Sequence, residues 1–193
     1  VNEKHELRLK MFKDLQVPND AYVVLSVGEL NHNKNHESII RAIAKLKDQN
    51  IYYIICGHGY LGEYLEKLSS NLGVSDRVKL LGFRSDIPKI LKVADSFAFP
   101  SKREGLGLAA LEAMASGLPI ITSNVHGIVD YSINGKTGIN CHPNDIEGFA
   151  VAIKTLKKNR DLSEKLSKNN VEVVKNFDVN NAKKVIKEIY SQF

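Results

Sequence analysis

Cysteine is scarce. Cys56 and Cys141 stand far apart, and neither belongs to a CxxC or CxxH pair. This argues against a disulfide framework or a zinc site and for two reduced, mostly buried thiols, as suits a cytoplasmic protein. No apolar run approaches the roughly 18 residues that span a bilayer, and no secretory leader is legible at the start. Basic residues are not gathered into a block interleaved with aromatics, which argues against nucleic acid as a partner. Lysine and arginine number 27 against 22 acids, a net +5. Such an excess suits a phosphate-bearing ligand or an anionic membrane face, although a solvated basic surface is its commoner cause. The loop after the first apolar run reads GELNHNKNH and lacks the GxGxxG of a dinucleotide reader. It offers only Glu29 where a receiver-type signalling domain needs clustered aspartates.

The 193 residues, 43% hydrophobic and 25% charged, suit one soluble domain with a core large enough to fold without staples. Leu7, Met11 and Leu15 mark a short amphipathic helix over 3–15. AYVVLSV at 21–27 is a continuous β-branched and apolar run that ends at Gly28, the pattern of a strand buried on both faces. A helix with Ile39, Ile43 and Leu46 follows, then the strand IYYIIC at 51–56, in which Tyr52 and Tyr53 read as packing residues. The next helix carries Leu61, Leu65, Leu68 and Leu72. VKLLGF at 78–83 predicts a third strand, with Asp86 as the cap of a short helix after it. SFAFP at 96–100, PIITS at 119–123 and TGIN at 137–140 predict three more strands. From 144 on the pattern is helical, through Phe149, Ile153 and Leu156, a charged stretch at 159–176, and then Val179, Ala182, Val185, Ile186 and Ile189. Alternation of this kind predicts an α/β fold: a doubly wound, parallel, Rossmann-like sheet of about six strands with helices on both faces.

In such a sheet the loops that leave the carboxyl ends of the strands gather along one edge, and ligands bind there. That edge collects 28–35, 57–59, 82–86, 100–108 and 122–127, the glycine-rich and polar segments of the chain. Any one of these glycines could serve only to turn the backbone; five such loops together are stronger evidence. The helix after the fourth strand is expected to begin near Gly107, with the amides of Leu106, Gly107, Leu108 and Ala109 open to an anion such as a diphosphate. Glu104 lies just ahead of that helix and Glu112 about one and a half turns inside it, so both carboxylates could reach the mouth of one site. Carboxylates accept paired hydrogen bonds from vicinal hydroxyls, as on a ribose or a hexose. The plain alternative is that both acids complement the helix dipole. Lys34 in the first loop is the candidate to neutralise the phosphate, and taken alone it would be a solvated lysine.

The segments SVGELNHNKNH, GHG, LLGF, ADSFAFPSKREGLGLAALEAMASGLPIITS and NGKTG resemble the nucleotide-binding C-terminal half of retaining GT-B glycosyltransferases of family 4, the glycosyl transferases group 1. The E-x7-E spacing of Glu104 and Glu112 is that family's hallmark, and the resemblance runs from the strand at 21 to the helix near 156. The GEL…KN form most resembles bacterial members that build capsule, O-antigen or exopolysaccharide. The resemblance implies that Glu112 binds ribose and Glu104 the donor sugar. The amides from Gly105 through Leu106 and Gly107 to Leu108 would hold the diphosphate with Lys34 and the Gly28 loop, and the backbone at Phe83 and Arg84 would border the base. Glu29 stands where many relatives carry an arginine, which leaves Asn31 or His32 to contribute donors. Gly127 matches a family glycine; His126 and His58 read as loop residues without chemistry.

The implied reaction moves a sugar from a UDP- or GDP-linked donor to an acceptor hydroxyl with retained configuration. Helix amides and Lys34 would carry the leaving-group charge, so no metal and no cofactor is expected. The expected partners are the nucleotide-sugar donor, an acceptor saccharide that could be lipid-linked at the inner face of the membrane, and an N-terminal domain. On this reading residues 1–20 enter from an interdomain linker, 21–176 form the nucleotide-sugar domain, and 177–193 form a helix that crosses back to the other half. A UDP-sugar 2-epimerase-like or glycogen-synthase-like enzyme and a non-catalytic nucleotide-binding module are the alternatives.

Overall fold

The computed structural model describes residues 3–181 and 183. In chain order the elements are α1 (Glu3–Asp14), β1 (Tyr22–Val27), α2 (His36–Lys45), β2 (Ile51–Cys56), α3 (Gly62–Asn71), β3 (Val78–Leu80), α4 (Ile87–Val93) and β4 (Ser96–Phe99). There follow α5 (Leu108–Ala115), β5 (Ile120–Ser123), a 3-10 turn at His126–Asp130, β6 (Gly138–Cys141), α6 (Ile146–Lys158), α7 (Arg160–Val174) and a second 3-10 turn at Lys175–Phe177. The strands form one sheet in the order β3-β2-β1-β4-β5-β6, and every pairing is parallel.

A parallel sheet must be covered on both sides, and two separate cores do this. On one face Ile39, Ile40 and Ile43 of α2, Leu65 of α3, and Phe149, Ile153 and Leu156 of α6 pack on Val24, Tyr53 and Ile55. On the other, Phe12 of α1, Ile90 and Leu91 of α4, and Ala110, Ala113 and Met114 of α5 pack on Val23, Leu25 and Phe97. The small residues of α5 let it lie close against β4 and β5. Phe12 is fully buried, which stabilises by about 1.5–3 kcal/mol, so the stretch expected to enter from a linker is packed on the sheet from α1 onward.

Two details differ from the sequence expectations, and a third makes one of them specific. The third strand stops at Leu80 rather than 83, because Gly82 adopts φ 65° and turns the chain toward the loop edge. Asp86 stands at the start of α4 but makes no capping bond; both its oxygens accept from Arg84, at 2.8 and 2.7 Å. The charged stretch at 159–176 is mostly helix α7, capped by Asn159, whose Oδ1 accepts from the Leu162 amide at 2.9 Å. Buried Asn170 anchors α7 to the body by donating to Leu118 O at 2.6 Å. The part of the terminal helix that would carry Ala182, Val185, Ile186 and Ile189 lies outside the described residues. Among the described residues, no helix is long and apolar enough to cross a membrane.

One ion pair ties the chain's start to the middle of the sheet. Arg8 donates to both oxygens of Asp95, each at 3.0 Å, and to the carbonyls of Val93 at 2.5 Å and Ala21 at 2.6 Å. Asp95 also accepts from the Val23 amide at 2.7 Å. The side chains are only 18% and 28% exposed, so solvent screening is reduced. Asp95→Ala strands the guanidinium and an amide, and is expected to cost about 2–3 kcal/mol in a urea unfolding titration; a loss under about 0.5 kcal/mol would mean the clamp is screened away.

Candidate functional site

The sheet order places β1 beside β4, and the helices that follow them leave on opposite faces: α2 belongs to one core and α5 to the other. Between the carboxyl ends of these two strands the backbone therefore parts, and an opening forms that no helix covers among the described residues. Two loops line it, 28–35 and 100–107. Asn35, at φ 56°, donates to Pro100 O at 3.0 Å and Pro143 O at 2.8 Å. Asn33 Nδ2 donates to Arg103 O at 2.8 Å, and the Lys102 amide donates to Asn33 O at 2.8 Å. The two loops thus hold each other.

Lys34 and Glu104 meet across that seam. Lys34 Nζ lies 2.5 Å from Glu104 Oε2, with the side chains 22% and 18% exposed. The ammonium also sits 5.1 Å from the centre of the Phe99 ring, a cation–π contact. Lys34 and Glu104, expected to serve different parts of a ligand, are bonded to each other.

Next to them α5 begins. Gly107 takes φ 68° and is its N-cap. A Cβ there would lie 2.5 Å from Tyr131 Oη and 2.8 Å from the Phe99 ring, so only glycine fits. The amides of Gly105 to Ala109 find no backbone acceptor among the described residues. A third segment closes the loop from behind: the Gly127 amide donates to Glu104 O at 3.2 Å, and a Cβ at Gly127 would fall 1.7 Å from Gly105 O. Leu106, Leu108 and Glu112 are exposed around this helix start, Glu112 one turn beyond Leu108 and without a side-chain bond among the described residues.

Beside this corner lies a cavity of about 420 Å³, lined by Gly28, Glu29, Cys56, His58, Phe83 and Arg84 among others. Phe83 is 74% exposed, and its ring lies 6.0 Å from that of His58. The Arg84 charge is held by Asp86, which lowers the Asp86 carboxyl below its usual value. A larger groove of about 510 Å³ runs between α2 and α6 and is lined by Lys45, Lys47, Glu147 and Lys154 among others. It lies at the opposite edge of the sheet and contains none of the candidate residues, so its volume does not make it the site.

Asn31 bonds inside its own loop. Its Nδ2 donates to Glu29 at 2.8 Å and its Oδ1 accepts from the Lys34 amide at 2.9 Å, which leaves one N–H of its side-chain amide beyond the Glu29 bond. Its work is to shape the turn that presents Lys34. His32 is exposed and lies edge-on to Tyr60; His126 is exposed at the start of its 3-10 turn. His58, read as a loop residue, stands on the cavity wall. Both cysteines are free and buried, and burial pushes Cys56 up to about 12 and Cys141 up to about 11, well into the neutral thiol range.

Four residues at this corner carry no signal in the sequence. Phe99 lies under Lys34, Tyr131 lies behind Gly107, and Asn33 joins the loops. The fourth is His36, buried at the start of α2. Its Nδ1 faces Tyr53 Oη at 3.0 Å; Tyr53 donates to Ser26 at 2.9 Å, and Ser26 to Ala98 O at 2.6 Å. This chain runs from α2 through β2 and β1 to β4, beneath the opening.

These features define a Rossmann-like α/β domain with an opening at the carboxyl edge of its parallel sheet. The sequence pattern of the family described as Glycosyl transferases group 1 matches residues 8–173, and the chain belongs to that family. It is 32% identical over 194 residues to an uncharacterized glycosyltransferase of Methanocaldococcus jannaschii, covering 99% of this chain and 47% of that protein. It is 33% identical over 184 residues to the UDP-Gal:alpha-D-GlcNAc-diphosphoundecaprenol alpha-1,3-galactosyltransferase of Escherichia coli, covering 92% of this chain and 47% of that one. The chain thus spans about half the length of these curated relatives. Its fold superposes on Anabaena HepE, solved in complex with UDP, with a TM-score of 0.90 and 26% identity, over 97% of this chain and 53% of that one.

Burial lowers the His36 pKa to about 4, so the ring is neutral in the folded protein. An unfolded histidine titrates near 6.5. Between those values the unfolded chain binds a proton that the native one refuses, so stability falls as pH drops through that window. From pH 7 to pH 5 the wild type is expected to lose about 2 kcal/mol more than His36→Gln in urea titrations. Equal pH slopes for the two proteins would contradict this.

Proposed function

We propose that this chain is the donor-binding half of a retaining GT-B glycosyltransferase of family 4. It would hold a UDP- or GDP-linked sugar for transfer to an acceptor hydroxyl in surface-polysaccharide synthesis. The observation that carries this reading is the convergence of Lys34, Glu104 and the unpaired amides of Gly105 to Ala109 in the opening between β1 and β4. Free amides at a helix start and a lysine suit a diphosphate. The adjoining 420 Å³ cavity, walled by Phe83 and His58, is of a size and character for a base. Glu112, exposed near the helix start, is placed to accept from ribose hydroxyls.

Departure of the nucleoside diphosphate is the costly step, since negative charge builds on its oxygens as the sugar–oxygen bond breaks. The amides supply donors already free for that charge, and Lys34 turns from Glu104 to join them. They neutralise it without a metal, which is why none is proposed. Glu104 aligns the sugar through its hydroxyls and is a positioning group, not a nucleophile. The acceptor, and the wall that faces this site, would come from a second domain. The relatives named for lipopolysaccharide core biosynthesis in Rhizobium meliloti and for galactosyl transfer in Escherichia coli favour a saccharide acceptor, lipid-linked in the latter. Such an acceptor would bring the enzyme to the cytoplasmic face of the membrane.

Isothermal titration of the chain with UDP, GDP and their hexose conjugates tests the reading. One of the two nucleotides is expected to bind, and Lys34→Ala and Glu112→Ala are each expected to weaken it roughly tenfold, about 1.4 kcal/mol. Glu104→Ala should remove the preference for sugar conjugate over free nucleotide. Binding by neither nucleotide, or equal binding by all three variants, would overturn it.

A further inference from the structure

Tyr131 is fully buried, and its hydroxyl has no hydrogen-bond partner among the described residues. A buried donor without an acceptor is costly and asks for a reason. Its main chain is well held: the Tyr131 amide donates to Ile128 O at 3.3 Å, and its carbonyl accepts from Thr137 at 2.8 Å. Phe177 lies edge-on to the ring, with centroids 5.9 Å apart. The hydroxyl is therefore fixed where it stands, against Gly107 at the start of α5, 2.5 Å from where a Cβ would be. Glu104 stands three residues before Gly107, and after burial itself its charge adds to the rise of the phenol's pKa.

Glu104 has the opposite difficulty in prospect. Its bonded partner is Lys34, at 2.5 Å. On the donor-site reading above, an incoming diphosphate draws the Lys34 ammonium to itself. A carboxylate that is 18% exposed would then lose its counter-ion, and an unpaired charge in such a place is expensive. One buried hydroxyl lacks an acceptor and one carboxylate is about to lose a donor, on the two sides of one glycine. The Glu104 backbone is pinned by Gly127, so only its side chain has to turn.

We propose that Tyr131 is a positioning residue of the donor site, its hydroxyl donating to the Glu104 carboxylate once the diphosphate has taken Lys34. The exchange keeps Glu104 ionised and oriented while Lys34 serves the phosphate. It rests on the donor-site reading, and it gives the unpartnered phenol its acceptor only in the bound state.

The test is a double-mutant cycle on this chain, with UDP and GDP as probes. Tyr131→Phe removes only the hydroxyl. The ligand-free Tm is expected to stay or rise, because no bond is lost, while affinity for the bound nucleotide falls about tenfold. In a Glu104→Ala background the same change is expected to alter affinity less than twofold. A lowered ligand-free Tm in Tyr131→Phe would show that the hydroxyl was already bonded and would overturn the proposal. So would wild-type affinity in Tyr131→Phe, or an equal loss with and without Glu104, and either result would leave the donor-site reading standing. Wild type binding neither nucleotide would remove that reading and this proposal together.

Discussion

The strand after which the chain reverses its direction of growth fixes the rest of the molecule. From β1 it winds outward through β2 to β3; it then returns to the other side of β1 and continues through β4 to β6. Right-handed crossovers force α2 and α5 onto opposite faces, so the loops that feed them cannot pack on one another from end to end. The opening this leaves is a consequence of topology and needs no carving by side chains. What the sequence must add is a lining that keeps two diverging loops at a defined separation. It does so with amides and hydroxyls: Asn33, Asn35 and Ser123 each bond to the backbone of the loop 100–107.

Charge then finishes the site. The Lys34–Glu104 pair is only partly desolvated, so it holds the corner together without locking it. A fully buried pair would resist exchange with a ligand, and a fully exposed one would orient nothing. The supporting groups beneath are neutral. His36 is kept uncharged by burial, Phe99 offers only a ring face, and Tyr131 a hydroxyl. A mobile ion pair therefore rests on a fixed, uncharged floor, and an anion that arrives meets one cation and a set of free amides.

The fold was legible because parallel strands buried on both faces write themselves as apolar runs. Tyr22–Val27 and Ile51–Cys56 lie within a residue of the runs that predicted them. The start of α5 was legible too: the helix was expected to begin near Gly107, and Gly107 is its N-cap. The Asp86 cap failed because a nearer cation, Arg84, competes for the carboxylate, and a sequence pattern does not rank competitors. The bonds of Asn31 to Glu29 and to the Lys34 amide are likewise set by neighbours that a pattern does not rank. The Lys34–Glu104 bond joins positions far apart in the chain, and Tyr131 reaches Gly107 only through the fold of the 126–131 turn. No local periodicity encodes either. Tyrosine in such a place looks like any core aromatic until the environment of its oxygen is known.

The central claim is that the amino end of α5, and not the larger lysine-lined groove, receives the diphosphate. Amide NMR of the chain during titration with UDP and with GDP tests it residue by residue. The account predicts that the largest shifts fall on Gly105 to Ala109 and on the Gly28–Lys34 loop. Shifts gathered instead on Lys45, Lys47, Ala150 and Lys154, with the α5 amides unmoved, would contradict it.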